Sequence, residues 1–378
     1  GRKEIAQAVY EQLLENDYPP PFQLGHPGAF DLAQRVARIT LDPMNHIFFA
    51  NSGSEAIDTA LKIAMAYHRV KGQGHRTRFV SRERAYHGVN IGGTSLSGMV
   101  KNRETFSGTM PGVVHMRHTW DPKQAFTRGQ PETGADLADD LQRICENVGG
   151  STIAACFVEP IAGSTGCLVP PKGYLERLRE ICDAHGILLV FDEVITGFGR
   201  TGAPFAAQAF GVTPDLMTMA KAITNGCQPM GAIAVKDEIY ETIINAAPEN
   251  AIELFHGYTY SSHPAACAAG VAVQKIYEAD NTFAKAAGMV DYFQNALYSL
   301  EGLDCLADIR GYGMMGAIEL KPKGNPGALG TQFQKDLFWR GLHVKFTGDC
   351  GVVAPAFVAS EADIDAMIGL LREALEEI

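Results

Sequence analysis

The chain alternates between short, wholly apolar runs and longer stretches in which apolar residues recur every three or four positions. The runs ILLVF (187–191) and LMTMA (216–220) show no period-two alternation, so they predict strands buried on both faces of a parallel sheet. Thr152 to Val158 is a third buried run; Ala232 to Val235 and Arg78 to Ser81 are shorter, and His46 to Ala50 reads as a strand or a turn. Helical spacing marks Arg2 to Asn16 through Ile5, Val9 and Leu13, and Phe30 to Leu41 through Leu32, Val36 and Ile39, with Pro43 as a stop. It also marks the helix after NSGSE through Ile57, Leu61 and Met65, and those over Ala135–Asn147, Tyr174–His185, Asp237–Asn245, Ala265–Glu278 and Thr282–Leu300. From Ile309 a smaller alternation follows: strand Met314–Leu320, helix Thr331–Arg340, strand Leu342–Phe346, and a last helix from Ser360. Alternating strands and helices predict an α/β fold with a mostly parallel central sheet flanked by helices. The expected division is N-terminal helices at 1–41, a large domain at 42–301 and a small C-terminal α/β domain at 302–378.

Three apolar runs end on charge: Val158 is followed by Glu159, Phe191 by Asp192, and Ala220 by Lys221. Ligands of parallel sheets gather at the strands' carboxyl ends, and charges buried there require partners, which makes these three residues site candidates. NSGSE supplies a second candidate. Ser52 and Glu55 have capping-box spacing, Gly53 allows close backbone approach, and the free N–H groups of a helix start attract an anion. The turn-rich RAYHGVNIGG adds Tyr86 and His87.

Composition narrows the chemistry. Of 378 residues, 46% are hydrophobic and 20% charged, as in an ordinary protein with a large core. A formal charge of −11 disfavours nucleic acid and anionic membranes as partners. Eight cysteines without a CxxC motif point to a reducing cytoplasm. His115 and His118 lack the acidic or HExxH context of a metal centre, so no metal is expected. Gly197, Gly199 and Gly202 spell GxGxxG, with Asp215 downstream, but five residues separate them from Phe191 and Asp215 precedes a strand. A dinucleotide loop is therefore not expected.

A helix start for phosphate, an aromatic over a flat ring, a strand-end carboxylate for a ring nitrogen and a reactive lysine are what pyridoxal phosphate requires. NSGSEAIDTALKIA, YHG, VEPIAGSTG, VFDEVITGFGR, the Lys221 segment and HGYTYSSHP, in that order, resemble the fold-type I, class III aminotransferases along essentially the whole chain, above all the β-alanine and ω-amino acid–pyruvate transaminases. The resemblance implies pyridoxal 5′-phosphate, cycling through pyridoxamine phosphate, and transfer of an amino group from a β-alanine-like amine to pyruvate in two half-reactions. It implies that Lys221 holds the cofactor covalently and then acts as the base, and that Asp192 faces the ring nitrogen. It places Val194 and Tyr86 on the two ring faces, His87 and Glu159 beside the ring, and Ser52, Gly53 and Ser54 around the phosphate. It further implies a homodimer, or a higher even oligomer, in which Thr259 reaches the neighbouring subunit's phosphate.

Two departures bear on substrate. Where relatives place a carboxylate-binding Arg, this chain has Lys345, which with Tyr86 is the expected substrate contact; a lysine lacks the planar two-donor fork. Relatives also carry several dozen residues ahead of Gly1, so an upstream segment completing the small domain and the pocket is expected. An aminomutase of the same fold, or a catalytically silent binding protein, are the alternatives.

Overall fold

The computed structural model describes residues 1–106 and 109–378. Among the described residues, seven strands form the large sheet: β1 (His46–Ala50), β2 (Arg78–Arg82), β3 (Val113–Met116), β4 (Ile153–Val158), β5 (Leu188–Asp192), β6 (Leu216–Met219) and β7 (Gly231–Val235). Their spatial order is β1-β7-β6-β5-β4-β2-β3. β7 runs against β1 and β6, and the remaining pairs are parallel. The reversal follows from chain length. Only Ala220 to Met230 joins β6 to its neighbour β7, too short for the crossover helix that a parallel pair requires.

Both faces of this sheet are covered, which is why its strands lack alternation. Leu188 and Val190 join the apolar cluster under helix Gly53–Val70, whereas Leu189 and Phe191 join the cluster under helix Tyr174–His185. Fully buried side chains such as Phe157 and Phe191 each contribute about 1.5–3 kcal/mol of transfer free energy. Two expected stripes turn out to be shorter than their four-residue spacing. Ile57 and Leu61 are buried but Met65 is 43% exposed; Ile5 is buried but Leu13 is 46% exposed. Each four-residue step overshoots the 3.6-residue turn by about 40°, so the third member rotates off the core face, and Ala64, Tyr67 and His68 are buried instead.

The small sheet departs from expectation. Its strands β8 (Leu306–Tyr312), β9 (Met315–Leu320), β10 (Lys345–Thr347) and β11 (Cys350–Val353) pair in the order β10-β11-β9-β8, all antiparallel. The sequence places the first strand of this domain at Met314, so β8 is unexpected; β11 is likewise, and the strand expected from Leu342 starts only at Lys345. Two-residue turns at Gly313–Met314 and Gly348–Asp349 force antiparallel pairing, as hairpins must. The helix Thr282–Tyr298, upstream of the boundary expected at 302, contributes Phe293 and Leu297 to the core beneath this sheet.

Candidate active site

The parallel strands all deliver their carboxyl ends to one edge of the large sheet. There a cavity of about 420 Å³ is lined by Ser52, Gly53, Ser54, Tyr86, His87, Glu159, Asp192, Val194 and Lys221, together with the loop carrying Gln228, Pro229 and Met230. Nine residues singled out from sequence, drawn from five separate segments, thus meet in one place.

Asp192 is the last residue of β5, aligned with Thr218 on β6. It is buried, and its carboxylate accepts from the Val194 N–H at 3.1 Å, the Thr218 hydroxyl at 3.3 Å and His87 Nδ1 at 2.8 Å. With Nδ1–H committed to Asp192, His87 Nε2 is buried without a protein partner. Glu159 follows β4 and is likewise buried; its carboxylate accepts from the backbone N–H groups of Tyr86 and Gly163, both at 3.0 Å. Burial pushes the Glu159 carboxyl above the usual carboxylate range, with the nearby Asp192 charge adding to the rise.

Lys221 opens a tight turn two residues beyond β6, with φ of 45° in the left-handed region. Its side chain stands in the cavity mouth and is exposed by surface area, yet the protein around its amine removes enough water to lower its pKa below 10.5. Asp192 and Glu159 partly offset that fall, while Lys345 adds to it. An amine biased toward neutrality is a nucleophile and a base, which is what imine chemistry asks of a lysine.

At the cavity's other end, Ser52 caps helix Gly53–Val70 by accepting the Glu55 N–H at 3.1 Å. The expected box is altered: Glu55 reaches back to the Asn51 N–H at 2.7 Å, one residue earlier than the cap. Among the described residues the N–H groups of Gly53 and Ser54 have no protein acceptor, and they point out of an 18-residue helix. A Cβ on Gly53 would lie 3.2 Å from a Val194 methyl, so the cradle closes tightly against the residue expected under the ring.

Two predicted site residues lie outside this cavity. Thr259 sits on an exposed loop, where its carbonyl accepts from the Tyr18 hydroxyl at 2.9 Å. Lys345 is exposed on β10, near enough for its charge to depress the Lys221 pKa. The glycine-rich GFGRTG forms a turn, and Asp215 is held by Arg179, Lys236 and the Leu189 N–H rather than facing a ligand. His115 Nε2 bonds the Leu96 and Ser97 carbonyls, and no cluster suited to a metal occurs among the described residues. Thr218 and the Gln228–Met230 loop were missed by sequence reading. Thr218 is hidden inside an apolar strand, and the loop carries no motif.

The aminotransferase class-III family model matches residues 4–375. The chain belongs to the class III aminotransferases. An omega-aminotransferase of Caulobacter vibrioides is 51% identical over all of this chain and 86% of its own length. A beta-alanine–pyruvate aminotransferase of Pseudomonas aeruginosa is 48% identical, with all of this chain and 85% of that one covered. Among solved structures, an omega-transaminase of Thermomicrobium roseum aligns with a TM-score of 0.93 at 37% identity, over all of this chain and 85% of its own. One from Pseudomonas jessenii, in complex with PMP, aligns at 0.94 and 30%, again with all of this chain and 85% of the other covered. Class III aminotransferases depend on pyridoxal phosphate, and the site of this aminotransferase fits that group. Free helix-start amides match a phosphate, a buried carboxylate matches a ring nitrogen, and a desolvated amine matches an aldehyde. No helix of the described residues is long and apolar enough to cross a membrane.

Proposed function

We propose that this aminotransferase moves the amino group of a β-alanine-like or other ω-amino compound to pyruvate or a similar α-keto acid, in two half-reactions at one site. The observation that carries the reading is the meeting of Lys221, Asp192 and the Gly53–Ser54 amides in one cavity, in a chain 48% identical to a beta-alanine–pyruvate aminotransferase. Bound there, pyridoxal phosphate supplies an electron sink for the carbon that loses its proton. Lys221 Nζ would anchor the cofactor and, once displaced by the incoming amine, would carry that proton from the substrate carbon to the cofactor side of the imine, with the second half-reaction running the same transfer in reverse. Asp192 holds a proton on the ring nitrogen, and His87 and Thr218 hold Asp192 in orientation. Val194 and Tyr86 confine the ring, Glu159 fixes its edge through the Tyr86 backbone, and Ser52, Gly53 and Ser54 take the phosphate. Lys345 meets the keto acid's carboxylate. Thr259 serves the neighbouring subunit's phosphate in a homodimer, in keeping with its place on an exposed loop outside the lining of this chain's own cavity. Eight free thiols suit a cytoplasmic setting.

The test is Lys221→Ala assayed with β-alanine and pyruvate. A positioned acid–base group is worth roughly a hundred- to ten-thousand-fold, and loss of the anchor adds to it, so turnover should vanish. Undiminished turnover would overturn the assignment. A requirement for an external keto acid separates transfer from an intramolecular amine shift.

A further inference from the structure

Behind the cavity lies a charge that the proposed mechanism does not use. Arg82, the last residue of β2, is 0% exposed and among the largest fully buried side chains of the protein. Its Nη2–H donates to the Glu159 backbone carbonyl at 2.8 Å, its guanidinium lies over the Tyr174 ring at 5.8 Å from the centroid, and its Nη1 is buried without a protein partner. Among the described residues it forms no ion pair, although an unpaired buried charge is costly. The residue it holds, Glu159, shares the cavity with a second buried carboxylate, Asp192, whose charge raises the Glu159 pKa while that of Arg82 lowers it.

We propose that Arg82 is a positioning residue for the transamination site: its guanidinium tethers Glu159 through the backbone and supplies the buried positive charge that lets Glu159 and Asp192 face one cavity. This rests on the function proposed above. The titratable groups around Arg82 and the acid it holds are Glu159 from the loop after β4, Cys156 from β4, Asp192 from β5, His87 from the loop after β2, His118 from the loop after β3, Lys221 from the turn after β6, and Tyr174 with Asp140 from the flanking helices. Lys221 cannot substitute for Arg82, because its amine is consumed in anchoring the cofactor or works in the neutral form. Arg82 is then the permanent cation held against Glu159. Removing it leaves the pocket more negative, which favours protonated, cationic groups bound within it.

The experiment is a pH titration of the bound cofactor's visible absorbance in the holoenzyme, together with kcat and KM, for wild type, Arg82→Met, Arg82→Lys and Glu159→Gln. A wild type without an absorbance band that borohydride fixes to Lys221 would refute the function rather than the role of Arg82. With that band present, Arg82→Met should raise the titration midpoint by about one pH unit and lower kcat at least tenfold while KM changes less than threefold. Arg82→Lys keeps the charge but loses the fork, so it should leave the midpoint near wild type and still lower kcat. Folded Arg82→Met with unmoved midpoint and kcat overturns the proposal. If that variant does not fold, an unchanged kcat in Arg82→Lys overturns it. If neither folds, Glu159→Gln decides: it relieves the negative charge that Arg82 balances and should lower the midpoint, and an unmoved midpoint overturns the proposal.

Discussion

Gly231→Ala is the sharpest test of how the fold builds the proposed phosphate cradle. Gly231 starts β7, paired with Ala50 at the end of β1, immediately before the cradle. A Cβ there would stand 2.2 Å from the Ser52 carbonyl oxygen, 2.6 Å from its carbon and 3.2 Å from the Gly53 nitrogen. The closest comfortable C···O approach between strands is roughly 3.3 Å, so something must move by about 1 Å. The obstacle is backbone on both sides, and no flexible side chain can yield in its place. Overpacking of this kind costs about 1–3 kcal/mol. The movement falls on Ser52 and Gly53, so the helix-start amides shift as well. Loss of one charge-assisted hydrogen bond, at about 1.5–3 kcal/mol, weakens cofactor binding roughly ten- to a hundredfold. The assay is titration of the apoenzyme with pyridoxal phosphate, followed by absorbance, beside urea unfolding of the apo form. The control is Gly288→Ala: nothing lies within 4 Å of its Cβ in the helix Thr282–Tyr298, so it should gain about 0.5–1 kcal/mol and leave binding alone. A Gly231→Ala apoenzyme that binds cofactor within twofold of wild type would refute the reasoning.

Other expectations are simpler. Lys345→Arg restores the planar fork and should lower the KM for pyruvate several-fold with kcat little changed; an unmoved KM would show that residue 345 does not touch the carboxylate. Asp192→Asn should lower kcat by at least a hundredfold and weaken cofactor retention, seen as faster loss of the bound absorbance on dialysis. Glu193, buried and accepting from Thr196, Ala206 and Ala207, has its carboxyl raised by burial from 4.5 to about 7. A raised folded pKa means that its stabilising contribution is complete below pH 4.5 and is lost as pH rises through 7. At 1.36 kcal/mol per pH unit that loss is about 3 kcal/mol. Unfolding measured from pH 4.5 to 8 should therefore show a downward component that Glu193→Gln lacks; equal slopes would contradict it.

Asp192 and Lys221 were readable from sequence because a charge that ends an apolar run is costly to bury without a partner, whatever the fold. The loop at Gly53 and the strands around it were readable for a similar local reason, since turn and cap chemistry acts over a few residues. The antiparallel course of β7 and of the small sheet was harder to see. It depends on which strands become neighbours and how few residues join them, and apolar content does not record that. The partners of the site charges were hidden for the same reason. Thr218 looks like one more core position of β6, and Arg82 like the polar end of a weak strand, until the sheet sets β2 beside β4 and β6 beside β5. The sequence by itself determined the chemistry available: one amine, two carboxylates and a helix start. Only the tertiary structure decided which groups face one another, because burial and Coulomb attraction act through space across segments more than a hundred residues apart.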